Sequence, residues 1–163
     1  MVIRQRQVKR HENKRGYSVD GYDQTFVGIT TLLGKTKDEE SKQALLNWLK
    51  KPNAKGEVKQ ACERGSYAHR TLEKYGQGIP VNKGRAYKIF KNYVDPLVDW
   101  FDNNVTQVLA QEQAVFHPEG FAGTYDLLAT LKEFGDEPVL CDYKTSQRPR
   151  LTNAMLTHDY CCQ

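Results

Sequence analysis

At 163 residues, 39% apolar and 27% charged, the chain has the size and composition of one globular domain with a single sizeable core. No run approaches the roughly eighteen apolar residues of a membrane span, and no apolar segment near the N-terminus reads as a secretory signal; a cytoplasmic protein without a membrane partner is expected. The net charge of +4 is unevenly spread, because Arg4, Arg6, Lys9, Arg10, Lys14 and Arg15 face only Glu12 within the first fifteen residues. That leaves the N-terminal arm (residues 1–16) at +5 and the rest of the chain near neutrality. Such an arm either steers a polyanion by neutralising phosphates or is a solvated basic tail.

Residues 17–34 alternate weakly between breaks at Gly16, Gly21, Gly28 and Gly34, which predicts a short hairpin or extended segment. Thr36 followed by Glu39 has the pattern of a capping box. Behind it Ala44, Leu45, Trp48 and Leu49 form an apolar stripe, so a helix is expected from about 37 to 51, stopped by Pro52. A second helix is expected from about 55 to 75, with Val58, Ala61, Cys62, Gly65, Ala68, His69 and Leu72 on its buried face. His69 should therefore point inward. After a turn at 76–80 comes a third helix, about 84 to 103, with Ala86, Ile89, Phe90, Tyr93, Leu97, Trp100 and Phe101 as its stripe and a kink or break near Asp95 caused by Pro96.

The pattern then becomes β-rich. Strands are expected at 105–116, 121–132 and 139–145, joined by turns at 117–120 and 133–138 as an antiparallel meander. Residues 146–150 read as a polar loop, and Thr152 as the N-cap of a helix reaching Gln163. The expected fold class is α+β: N-terminal helices packed on a central mixed sheet that begins with a three-stranded antiparallel meander, then a helix. Cys62, Cys141, Cys161 and Cys162 include an adjacent pair and no CxxC, a poor disulfide framework. Reduced thiols are expected, with Cys62 and Cys141 in the core.

In the third strand the side chains of Leu140, Asp142 and Lys144 share one face. A carboxylate and an ammonium group two residues apart on one face can converge on a single phosphate. Asp126 lies on the neighbouring strand, where Gly123 leaves room for a close backbone approach. Two adjacent carboxylates repel, and a divalent cation removes that cost; hard oxygen ligands suit Mg²⁺ or Mn²⁺. By itself, however, Asp142-x-Lys144 reads far more readily as a surface salt bridge than as a site.

Four segments carry a resemblance in family order: 26–34 (FVGITTLLG), 64–75 (RGSYAHRTLEKY), 120–129 (GFAGTYDLLA) and 140–146 (LCDYKTS). Together they resemble the PD-(D/E)xK nuclease superfamily in its RecB-type exonuclease branch, the branch of mitochondrial genome maintenance exonucleases and small phage exonucleases. The resemblance covers about residue 17 to the end, and it implies a restriction-endonuclease-like core and a metal-dependent DNA exonuclease using Mg²⁺ or Mn²⁺.

Carried onto this sequence, the resemblance makes Asp126, Asp142 and Lys144 catalytic. Asp126, Asp142, His69, Glu112 and the Tyr143 carbonyl become metal ligands. Arg64, Thr145, Ser146 and Gln163 become DNA contacts, to which charge adds Arg4, Arg6, Lys9 and Arg10. The implied partner is DNA, single-stranded or with free ends. One departure stands out: the family's Q-x-x-x-Y motif would start at Gln163, and the Tyr and the strand after it are missing, so the domain spanning 17–163 is expected to be C-terminally incomplete. Two other readings remain open, a DNA-binding module without catalysis and an iron–sulfur nuclease drawing on Cys62, Cys161 and Cys162.

Overall fold

The computed structural model describes residues 7–10 and 16–147. Arg4, Arg6, Gln163, Cys161, Cys162 and the helix expected from Thr152 lie outside them. The described residues form an α+β fold of four helices and a six-stranded mixed sheet. They divide into two compact units, one of residues 7–45 and 113–124, the other of 46–112 and 125–147. No helix among them is long and apolar enough to cross a membrane.

The first unit opens with β1 (Val8–Arg10), β2 (Gly16–Val19) and β3 (Phe26–Gly28), antiparallel neighbours in that order. Tyr17, Val19 and Phe26 turn inward, and Tyr22, Phe26 and Phe116 meet edge to face with centroids 5.2–5.7 Å apart. The expected hairpin over 17–34 is therefore present in its first part. Its last part is helical instead, as α1 (Ile29–Thr36). β1 lies within the basic arm and pairs with β2, so Lys9 and Arg10 sit on a sheet strand.

α2 (Glu39–Leu49) is not capped by Thr36, whose hydroxyl donates to the Leu33 carbonyl within the preceding helix. Asp38 does the capping: its carboxylate accepts the Ser41 N–H at 2.7 Å and the Ser41 hydroxyl at 2.8 Å. Those bonds hold the Asp38 carboxyl below its usual range. The stripe expected on this helix is not buried, and Leu45, Leu46 and Leu49 are all exposed.

The second unit contains α3 (Ala54–Gly76) and α4 (Arg85–Asn104). Residues 55–63 of α3 are all exposed. The helix buries Ala54, Arg64, Ala68 and Leu72, while Val58 and Cys62 are exposed, which corrects the expectation of a core cysteine at 62. α4 continues unbroken through Pro96. Its side chains Leu97, Val98, Trp100 and Phe101 pack against a core of Leu72, Leu127, Ala129, Leu131 and Tyr143. Ile89, expected in that stripe, is exposed, and the buried position is Val94.

The three expected strands are present as β4 (Val105–His117), β5 (Phe121–Leu131) and β6 (Pro138–Cys141). β5 pairs parallel with β3 at Val27↔Phe121 and antiparallel with β6 at Leu127↔Cys141 through Thr130↔Pro138. Gly123 does serve a close approach, since a Cβ there would lie 3.0 Å from the Ile29 side chain. β6 stops at Cys141, four residues short of the expected end, but the alternation outlives the strand. Leu140, Asp142 and Lys144 face solvent, while Cys141 is half-buried and Tyr143 is 4% exposed.

Candidate metal centre

Three elements of the second unit converge on His69. α3 presents the imidazole from the face that also buries Ala68 and Leu72, β5 supplies Asp126 and β4 supplies Glu112. The nearest donor atoms of these three side chains all lie within 4.8 Å of one another. His69 Nδ1 is 3.1 Å from Asp126 Oδ1 and 3.5 Å from Glu112 Oε1.

The main chain of Tyr143 ties the cluster together from both sides. Its N–H donates to Asp126 Oδ2 at 2.6 Å, and its carbonyl accepts from His69 Nε2 at 2.9 Å. A carbonyl oxygen can only accept, so Nε2 carries the hydrogen. In the neutral ring Nδ1 then has a bare lone pair aimed at two carboxylates, which is the tautomer a metal ligand requires. The carbonyl expected as a further ligand is engaged in this bond. The Tyr143 ring fills the core, and burial pushes its phenol up; the hydroxyl has no hydrogen-bond partner among the described residues.

The electrostatics reflect crowding of acids around one ring. The bond to Asp126 holds the His69 imidazole above its ordinary value, and the charges of Asp126 and Glu112 add to this against the opposing effect of burial. Burial pushes Asp126, 7% exposed, upward. The bonds from His69 and the Tyr143 N–H, with the charges of His69 and Lys144, outweigh it and leave the carboxyl low. Glu112 is raised by burial and then by the Asp126 charge. Asp142 is raised by burial and by nearby Asp126, against the pull of Lys144.

Asp142 and Lys144 pair with each other, both carboxylate oxygens lying 2.6 Å from Nζ. The pair is half exposed, at 46% and 40%. Thr145 Oγ1 accepts a 3.3 Å bond from Arg64 Nε, and the Arg64 guanidinium lies over the Tyr93 ring, 4.9 Å from its centroid. Arg64 is 7% exposed, so its charge is spent inside the fold, holding the segment that follows Lys144. Ser146 is half-buried beside Thr145. Lys9 and Arg10 belong to the first unit and are exposed. Cys62 belongs to no group of potential metal donors among the described residues.

Glu112 carries a feature that no pattern in the sequence announced. Its φ is 48°, the only positive value at a non-glycine position among the described residues. Neighbours along a strand ordinarily point to opposite faces, yet Gln111 and Glu112 both reach α3. Gln111 Nε2 donates to the Leu72 carbonyl at 3.2 Å, and Glu112 meets His69. The left-handed residue makes this possible, at a cost of about 1–2 kcal/mol. Gly76 gives the Gln111 amide its space, for a Cβ there would come within 2.5 Å of it.

Two carboxylate oxygens and one imidazole nitrogen form a donor set that could hold a metal ion. No family model matches this chain, and no curated protein matches it either.

Proposed function

We propose that the chain is a metal-dependent deoxyribonuclease of the PD-(D/E)xK type that hydrolyses phosphodiester bonds from DNA ends. One observation carries the reading: His69, Glu112 and Asp126 converge from three elements while Nε2 of His69 is committed to a carbonyl, which turns Nδ1 to the two carboxylates. A structural histidine satisfied by one acid needs no second carboxylate, and Glu112 reaches it only through a costly backbone conformation. Strain retained at a polar cluster is a mark of function.

His69, Glu112 and Asp126 would hold the cation, with Asp142 adding a further carboxylate near Asp126. A bound Mg²⁺ or Mn²⁺ supplies charge neutralisation to a phosphodiester oxygen and acidity to water. The bonds from His69 and from the Tyr143 N–H hold the Asp126 carboxyl low, which favours the form that ligates. Lys144, held by Asp142 at the solvent-facing edge, is placed to orient an attacking water and to meet charge growing on the phosphate. Thr145, positioned by Arg64, offers a hydroxyl to a neighbouring phosphate.

The test is incubation with end-labelled single- and double-stranded DNA and a circular control, in Mg²⁺, Mn²⁺ or EDTA. Linear DNA should be degraded only with metal while circles survive. Cleaved circles would refute action from ends, and absence of any metal-dependent cleavage would refute the nuclease assignment in favour of a DNA-binding module.

A further inference from the structure

α3 carries a second polar stripe. Tyr67, Arg70, Thr71 and Lys74 recur at i, i+3, i+4 and i+7, and at 3.6 residues per turn they lie about 180° around the axis from Gly65, His69, Leu72 and Gly76. The segment 77–84 folds back over this stripe, with the Ile79 N–H bonded to the Lys74 carbonyl at 3.0 Å and the Tyr67 hydroxyl to the Asn82 carbonyl at 3.4 Å. Together with the first turn of α4 it borders a half-open cavity of about 400 Å³. That volume lies within the range of small-molecule sites and far exceeds a phosphate ion.

The walls are chemically one-sided. Arg70, Lys74 and Arg85 line the cavity with the rings of Tyr67 and Tyr87, and no acidic side chain lines it. All three cations are exposed, and none forms an ion pair or side-chain hydrogen bond among the described residues. Tyr87, one of the lining residues, donates its hydroxyl to Asp95 at 2.8 Å. Positive charges lining one cavity repel one another, and a phosphate bound there would relieve that repulsion. α4 begins there without a capping side chain, which adds a field of the same sign.

We propose that this cavity binds a nucleoside monophosphate unit, its phosphate on Arg70, Lys74 and Arg85 and its base against Tyr67 and Tyr87. The unit is either a free nucleotide or one residue of a strand. The inference does not depend on the nuclease assignment, because the cavity lies on the side of α3 opposite His69.

The experiment is calorimetric titration of the full chain in EDTA with adenosine 5′-monophosphate, inorganic phosphate and adenosine. The monophosphate should bind about tenfold or more tightly than either part alone. Arg70→Glu combined with Lys74→Glu should abolish that binding, and Tyr87→Ala should weaken it while sparing phosphate. Circular dichroism of the variants reports the fold, and Arg70→Gln, which is milder, should still weaken binding severalfold. An oligothymidine lacking terminal phosphates separates the sources, since its competition identifies an internal residue of a strand and its failure to compete identifies a free nucleotide. Equal affinity for phosphate and the monophosphate, or binding that survives the charge reversals in a folded protein, would overturn the proposal.

Discussion

Asp126→Asn preserves shape and removes one charge at the point where the centre is most tightly tied. The asparagine oxygen still accepts the Tyr143 N–H, but the bond is no longer charge-assisted, and the partner of the His69 imidazolium is gone. Hydrogen bonds to charged groups contribute about 1.5–3 kcal/mol and neutral ones about 1. Relief of repulsion with Glu112 and Asp142 offsets part of the loss, so the net cost should be about 1–2 kcal/mol, or roughly 2–6 °C in melting temperature for a chain of this size.

The sign of the pH dependence follows from the two shifts. His69 is raised above 6.5, so its contribution is full below that pH and is lost as pH climbs through the folded value. Asp126 is lowered below 3.8, so its contribution is present above that pH and is lost as pH falls through the folded value. The stability gap between wild type and Asp126→Asn should therefore be widest in mildly acidic solution and narrow towards alkaline pH. Proton NMR of the His69 ring gives the decisive reading. Because the bond to Asp126 is the largest cause of the raised value, the titration midpoint should drop in the variant, and added Mg²⁺ should lower it in wild type alone. An unmoved His69 midpoint in Asp126→Asn would refute the geometry of the centre.

Lys144→Ala and Asp142→Ala should each abolish cleavage of linear DNA at a stability cost below about 1 kcal/mol, as expected for a half-exposed pair; near-normal turnover in either would remove that residue from the reaction. Glu112→Gln should shift the Mg²⁺ requirement to higher concentration without abolishing maximal rate, measured by metal titration of the initial rate. Lys9→Ala with Arg10→Ala leaves β1 in place and should reduce the log–log salt slope of DNA binding by about one to two units; an unchanged slope would make these two residues solvated bystanders.

Much of the candidate centre was legible because its chemistry is spaced by secondary structure. His69 falls on the same helical face as Ala68 and Leu72, and Asp142 and Lys144 keep a period of two even after β6 has ended. What escaped was set by the main chain or by tertiary reach. Both bonds of Tyr143 are made by its peptide groups, which any residue but proline possesses in part or whole, so no side-chain pattern marks them. Arg64 looks like a phosphate contact by type, yet the Tyr93 ring that stacks on it comes from another helix. Cys62 keeps the period of the buried face, but residues 55–63 of the helix are all exposed, and periodicity does not record where a partner surface stops. Asp38 out-competed Thr36 as a cap because Thr36 was already the last residue of the preceding helix. The cavity beside Lys74 depends on a fold-back at 77–84 that only the three-dimensional path reveals.

The left-handed residue in β4 also governs how freely position 112 can vary. Two filters act on it at once. The backbone welcomes glycine, asparagine and aspartate there and resists valine, isoleucine and threonine. The imidazole across from it welcomes only a carboxylate. Aspartate alone among the alternatives meets both demands, and its stem is one carbon shorter, which would withdraw the oxygen by about 1.5 Å from a partner already 3.5 Å away. A library of all twenty residues at this position should thus rank differently by stability and by metal affinity. Glycine would lead the first ranking and glutamate the second.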